Sequence, residues 1–128
     1  MTVLAAPTAT TPAGMRAALK DLAGRSDGKR RRTWAVLGAM PGQDREAHMD
    51  LGRFLVRLDI SSLVAVGAVA GGIHAGAVLE GSWGEESVHV ADADAALDLL
   101  RAQLTPDDVV LVQGEGVERV AAVLLEQP

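Results

Sequence analysis

The residues that could carry chemistry in this chain are two glycine turns and three histidines. The first turn is Gln113-Gly114-Glu115-Gly116. It follows four consecutive apolar residues, Val109 to Val112, and leads into Val117, Val120, Ala121 and Leu124. Those last four recur at offsets of three, four and seven, one face of a helix. Strand, tight turn and helix meet at the carboxyl edge of an open α/β sheet, where ligands bind. The second turn runs from Gly38 to Gln43 after TWAVL (33–37).

Phosphate chemistry asks for more than glycine. A P-loop needs G-x-x-x-x-G-K-[ST], with a lysine for charge and a hydroxyl for magnesium. The nearest approach, Gly24 to Arg30, is one residue short, has Arg30 in the hydroxyl's place and precedes a strand instead of following one. Gly114-Glu115-Gly116 supplies only the G-x-G of a dinucleotide fingerprint, and Glu115 would repel a pyrophosphate. No pair among His48, His74 and His89 has metal-ligand spacing. His48, close to the Gly38 turn, could face a cleft, although a surface or half-buried helix histidine is the plainer expectation. His89 is expected to be structural, Ser61, Ser62 and Ser82 form no nucleophile elbow, and Glu85-Glu86 is expected to be solvated. The residues available to a small ligand are therefore Gly38, Gln43, His48 and the turn Gln113, Gly114, Glu115 and Gly116. The run Lys29-Arg30-Arg31-Arg32 is either a solvated loop or a dock for an acidic partner. Trp34 belongs in a core, and Trp83 in a loop, exposed or packed as a lid.

The elements that must position these groups alternate. Thr2 to Ala5 suits a short edge strand and Ala6 to Thr11 a linker of small residues. Thr11-Pro12 then opens a helix, since threonine caps well and proline suits the first helical position. Its stripe is Met15, Ala18, Leu19 and Leu22. A strand at Thr33 to Leu37 precedes a helix capped by Asp44, with Ala47, Leu51, Phe54, Leu55 and Leu58 as its stripe. Leu63 to Val66 is the next strand, closed by Gly67. The helix from about Val69 to Leu79 is the weakest, because Gly71, Gly72 and Gly76 each lower helix propensity by about 1 kcal/mol. Ser87 to Val90 is a strand, and Asp92 and Asp94 start a helix striped by Leu97, Leu100 and Leu104. The alternation predicts a three-layer Rossmann-like α/β domain: a mostly parallel sheet of four to five strands with helices on both faces. Residues 1–11 form the edge strand and linker, and 12–128 the globular domain.

The totals narrow the function. A chain of 128 residues is one domain by length. The absence of cysteine excludes disulfides and thiolate metal sites. Residues 1–60 carry ten Lys/Arg against six Asp/Glu, and residues 61–128 two against eleven. The acidic half, one Phe, two Trp and no Tyr argue against nucleic-acid binding. No stretch approaches the roughly 20 apolar residues of a membrane span, and MTVLAAPTATTP lacks the features of a secretory signal. A cytoplasmic location is expected.

From about Ala6 to Leu125 the chain resembles the C-terminal domain of Mur ligases, the type that adds D-alanyl-D-alanine to the UDP-muramoyl tripeptide. The resemblance rests on PAGMRAALKDLA (12–23), TWAVLGAM (33–40), His48 with Leu51-Gly52, LVAVG (63–67), GAVLEGSWG (76–84), and DVVLVQG with VERVA (108–122). It implies a domain that closes over a separate ATP-binding domain carrying the P-loop, the magnesium ligands and a carbamoylated lysine. The family's polar motifs are eroded. D-x-Y-N-A-N-P becomes Ala6 to Pro12, with Ala6, Thr8, Ala9 and Thr11 in place of the Asp, Tyr and both Asn. L-G-D-M becomes Leu37-Gly38-Ala39-Met40, and K-G-S-R becomes Gln113-Gly114-Glu115-Gly116. The expectation is a stand-alone, catalytically silent accessory or binding module for an amide-forming ligase, with no cofactor of its own and ATP and magnesium only through a partner ligase domain. The alternatives are the lid subunit of a split ligase, a small-ligand binder, and a homodimeric scaffold.

Overall fold

The computed structural model describes residues 1–6, 10–81 and 85–126. Ser82, Trp83 and Thr8-Ala9 of the linker lie outside them, so the expectations for these residues go no further. Ten elements alternate as the sequence predicts: β1 (Thr2–Ala5), α1 (Pro12–Ala23), β2 (Thr33–Leu37), α2 (Arg45–Arg57), β3 (Ser62–Val66), α3 (Gly71–Glu80), β4 (Ser87–Val90), α4 (Ala93–Gln103), β5 (Val109–Gln113) and α5 (Glu118–Glu126). The five strands form one parallel sheet in the order β1-β5-β2-β3-β4. β1 is a full member of that sheet, pairing Thr2–Ala5 with Val109–Val112.

The β-branched runs are buried on both faces because side chains alternate along a strand. Ala35, Leu37, Leu63, Ala65, Val109 and Leu111 face α1, α2 and α3. Trp34, Val36, Val64, Val66, Val110 and Val112 face α4 and α5. The helix starts are capped by the expected residues. Thr11 Oγ1 accepts from Gly14 N–H at 3.1 Å, Asp44 from Ala47 N–H at 2.9 Å, and Asp92 from Ala95 N–H at 2.9 Å.

The glycines that weaken α3 as an isolated helix secure it in the fold. A Cβ on Gly76 would lie 1.9 Å from the Met49 carbonyl oxygen of α2, and one on Gly52 would lie 2.0 Å from that of Ile73. α2 and α3 therefore touch along their backbones, and the packing outweighs the propensity cost. α3 starts two residues later than its apolar pattern suggests, because the chain first makes a tight turn in which Gly71 and Gly72 N–H donate to the Ala68 and Val69 carbonyls three residues back, at 3.2 and 3.3 Å.

The basic run is neither a solvated loop throughout nor a free dock. Arg31 donates to the Asp107 carbonyl at 2.8 Å and to Thr2 Oγ1 at 2.8 Å. Arg32 donates to the Asp108 carboxylate at 2.9 Å and the Gln103 carbonyl at 2.7 Å, and its guanidinium lies over the Trp34 ring. Lys29 pairs with Asp59 on the surface. Two of the four cations thus bind the amino edge of the sheet. Asp108 is the hub there. Its buried carboxylate also accepts from Trp34 Nε1 at 3.0 Å, Thr105 N–H at 3.0 Å and Thr105 Oγ1 at 2.8 Å. Burial pushes that carboxyl up, but hydrogen bonds from Arg32, Thr105 and Trp34 outweigh it and hold the carboxyl below its ordinary 3.8.

Gly76→Ala should destabilise the fold by about 2 kcal/mol or more, the cost of overpacking a rigid contact. Val78→Ala, at a side chain on the same helix that is 47% exposed, should stay within about 0.5 kcal/mol. Urea denaturation measures both. A depressed carboxyl stabilises the fold above its unfolded value of 3.8, and the contribution is lost as pH falls through the folded value. Asp108→Asn should therefore lower stability at neutral pH and shrink the loss on acidification below pH 3.8, read from melting temperature against pH.

Candidate functional site

In an open sheet the ligand crevice opens where neighbouring strands send their helices to opposite faces. β5 and β2 are such neighbours, with α5 on one face and α2 on the other. The crevice between them is shut. Gly38 N–H donates to the Gln113 carbonyl at 3.0 Å, Ala39 N–H to that of Glu115 at 3.2 Å, and Glu115 N–H to that of Ala39 at 2.9 Å. Ala39 and Glu115 thus form an antiparallel bridge across the two turns. A Cβ on Gly38 would lie 2.0 Å from the Glu115 oxygen, and one on Gly114, at φ +118°, 2.6 Å from Gly38 N. Only glycine permits this approach.

The seven residues offered to a ligand by the sequence consequently separate. Gly38 and Gly114 make the closed contact. Gln113 is fully buried at the end of β5. His48 does not face a cleft, nor does it lie on the surface: it too is fully buried. Its Nε2 accepts from Met40 N–H at 3.0 Å, so Nδ1 carries the proton and donates to the Asp44 carbonyl at 2.7 Å. The ring is neutral and holds the turn after β2 against the start of α2. Gln43 is exposed on that turn, where its N–H donates to the Met40 carbonyl at 3.2 Å. Only Glu115 and Gly116 line an open cavity.

That cavity, of about 340 Å³, is displaced toward another such point, between β3 and β4. Val66, Gly67, Ala68, Val69, Ala91, Asp92 and Ala93 line it together with Ala39, Glu115 and Gly116. Gly67 and the Asp92 cap were legible as a strand end and a helix start, but nothing in their spacing marked a shared wall. The walls are mostly apolar, and their charged side chains are the carboxylates of Asp92 and Glu115. The amide at Gly116, which could have met an anion at the start of α5, is taken by the chain itself: Glu118 accepts from it at 3.1 and 3.3 Å. Arg119, the nearest cation in sequence, pairs with Asp94. A second cavity of about 320 Å³, lined by Met1, Leu100, Leu104, Pro106 and Leu124 among others, lies at the opposite edge, away from the strand ends that hold ligands in such sheets. Among the described residues no three histidine, cysteine or carboxylate side chains gather to hold a metal ion, and no helix is long and apolar enough to cross a membrane.

Residues 1–116 match the family model of the Mur ligase glutamate ligase domain. The chain belongs to that family. It is 50% identical over 103 residues to the UDP-N-acetylmuramoyl-tripeptide–D-alanyl-D-alanine ligase of Mycobacterium leprae, covering 74% of this chain and 20% of that protein. To the enzyme of the same name from Mycobacterium bovis it is 46% identical over 130 residues, covering 88% of this chain and 26% of that one. A crystal structure of MurF from Acinetobacter baumannii superposes with a TM-score of 0.67 at 23% identity, over 94% of this chain and 27% of that one, which establishes a shared fold. The Mur ligase domain here spans a fifth to about a quarter of the curated relatives it matches. Set against the family's L-G-D-M and K-G-S-R, the positions now holding Ala39 and Glu115 are the two that bridge the turns.

Gly38→Ala forces the turns apart. It should lower stability by about 2 kcal/mol and raise exchange of the Glu115 amide more than that of Val109, as hydrogen-exchange NMR can resolve.

Proposed function

We propose that this Mur ligase domain serves an amide-forming ligase of the D-alanyl-D-alanine-adding type as a cytoplasmic binding or accessory module, and that it performs no nucleotide chemistry itself. The observation that carries this reading is the state of the turn after β5. Its crevice is closed by the Ala39–Glu115 bridge, and its outward amide is already bonded to Glu118. Activating a carboxylate with ATP needs preorganised positive charge at the phosphates, and the cavity beside this turn is bordered by Asp92 and Glu115. The relatives named above support the pathway, and the loss of the family's lysine, hydroxyl and carboxylate supports the silence.

Isothermal titration of the chain with magnesium-ATP should give no binding heat at millimolar nucleotide. Saturable heat would overturn the reading. Mixing the chain with a P-loop-bearing ligase lacking its third domain separates the two roles. Amide formation only in the mixture would assign the lid of a split enzyme, and unchanged activity with measurable association would assign the accessory module.

A further inference from the structure

The second cavity, at the amino edge, differs from the one beside the glycine turns in the charge of its walls. Leu100, Arg101 and Leu104 border it from the end of α4, and Leu124 from the end of α5. Met1 ahead of β1 and Thr105 and Pro106 in the turn before β5 complete it. Leu100 and Leu104 stand one helical turn apart and so share a side. Leu100 and Leu124 are buried, and Leu104 is half-buried. The body of the cavity is therefore hydrocarbon.

The polar groups on these walls are largely spent within the fold. Thr105 donates to the Asp108 carboxylate through its hydroxyl at 2.8 Å and its N–H at 3.0 Å, and its carbonyl accepts from Asp108 N–H at 3.1 Å. Leu104 N–H donates to the Leu100 carbonyl at 2.8 Å. Pro106 has no N–H, and its carbonyl accepts from the Met1 nitrogen. Arg101 is the exception. Its ion pair is with Asp98 at 4.0 Å, and both side chains are more than half exposed. Such a surface pair holds little, so the guanidinium keeps its donors for another acceptor. Asp98, Asp107 and Glu126 are exposed and none of them is among the described walls. Asp108 is already paired with Arg32. The other cavity is bordered by Asp92 and Glu115 instead. Volume sets the size of an occupant: about 320 Å³, at about 30 Å³ for each water-sized group, has room for about ten non-hydrogen atoms.

We infer that this cavity is a binding site for a small amphipathic monocarboxylate, its hydrocarbon chain against Leu100, Leu104 and Leu124 and its carboxylate on Arg101. The site needs no ligase partner, so the chain alone tests it. Octanoate matches the size, and methyl NMR at neutral pH would follow titrations with octanoate, octanol and octylammonium. Octanoate should shift the Leu100, Leu104 and Leu124 methyls along one saturable curve and leave those of Val66 and Val69, in the other cavity, in place. Octanol and octylammonium should bind about tenfold more weakly, for want of the charge-assisted contact. Arg101→Gln, at an exposed side chain whose loss leaves the core intact, should weaken octanoate about tenfold and leave octanol unchanged. Failure to saturate, equal binding of the three amphiphiles, equal shifts at Val66 and Val69, or an Arg101→Gln variant that keeps its octanoate affinity would each overturn the site.

Discussion

The turns after β2 and β5 meet main chain to main chain, and the character of the whole carboxyl edge follows from that contact. Backbones can approach this closely only where no side chain intervenes, which is why Gly38 and Gly114 face each other. The strand pairing simply continues past the sheet through the Ala39–Glu115 bridge. With that switch point zipped, the remaining concavity moves sideways to the ends of β3 and β4. What stays near the former crevice is backbone already paired with backbone, plus a glutamate that satisfies its own helix start.

The same device, backbone against backbone through glycine, joins α2 to α3. There it makes one rigid layer of two helices, and His48 pins the turn before α2 to that layer. The other face of the sheet is held differently, by ordinary aliphatic interdigitation of α4 and α5 on valines. The amino edge is held differently again. Asp108, Arg32, Trp34 and Thr105 satisfy one another there, and Thr33 and Ser61 exchange backbone-to-hydroxyl bonds at 3.0 Å in both directions. Polar groups shielded from water must be paired in this way, because leaving one unmade costs about 1–3 kcal/mol.

The alternation of elements was legible because the buried strands are continuous β-branched runs and the helices carry stripes with Thr11, Asp44 and Asp92 at their starts. Period and caps are local properties, so sequence shows them. The expectations that failed all depended on distant partners. Nothing near Gly76 announces Met49 across the helix interface. Nothing beside His48 says that Met40 N–H will fill its lone pair, so a buried structural ring resembles a candidate ligand. Arg31 and Arg32 look solvated until the turn before β5, some seventy residues on, closes over them. For the candidate site, the glycine turns were found in the right place, but whether they gape or touch is a matter of tertiary distance, to which residue type is blind.

The two edges of one sheet therefore answer to different constraints. At the amino edge the polar groups are part of the fold: Asp108 is buried, multiply bonded and coupled to two strands, so replacing it would be felt throughout. At the carboxyl edge the strand ends are secured by glycine and main-chain bonds, and the outward side chains hold little of the core. The outward side chains there, Glu115 among them, can vary while the aliphatic interior stays paired and packed. An edge whose stability lies in its backbone can exchange its outward side chains without unfolding, because the bonds that hold it are made by groups every residue carries.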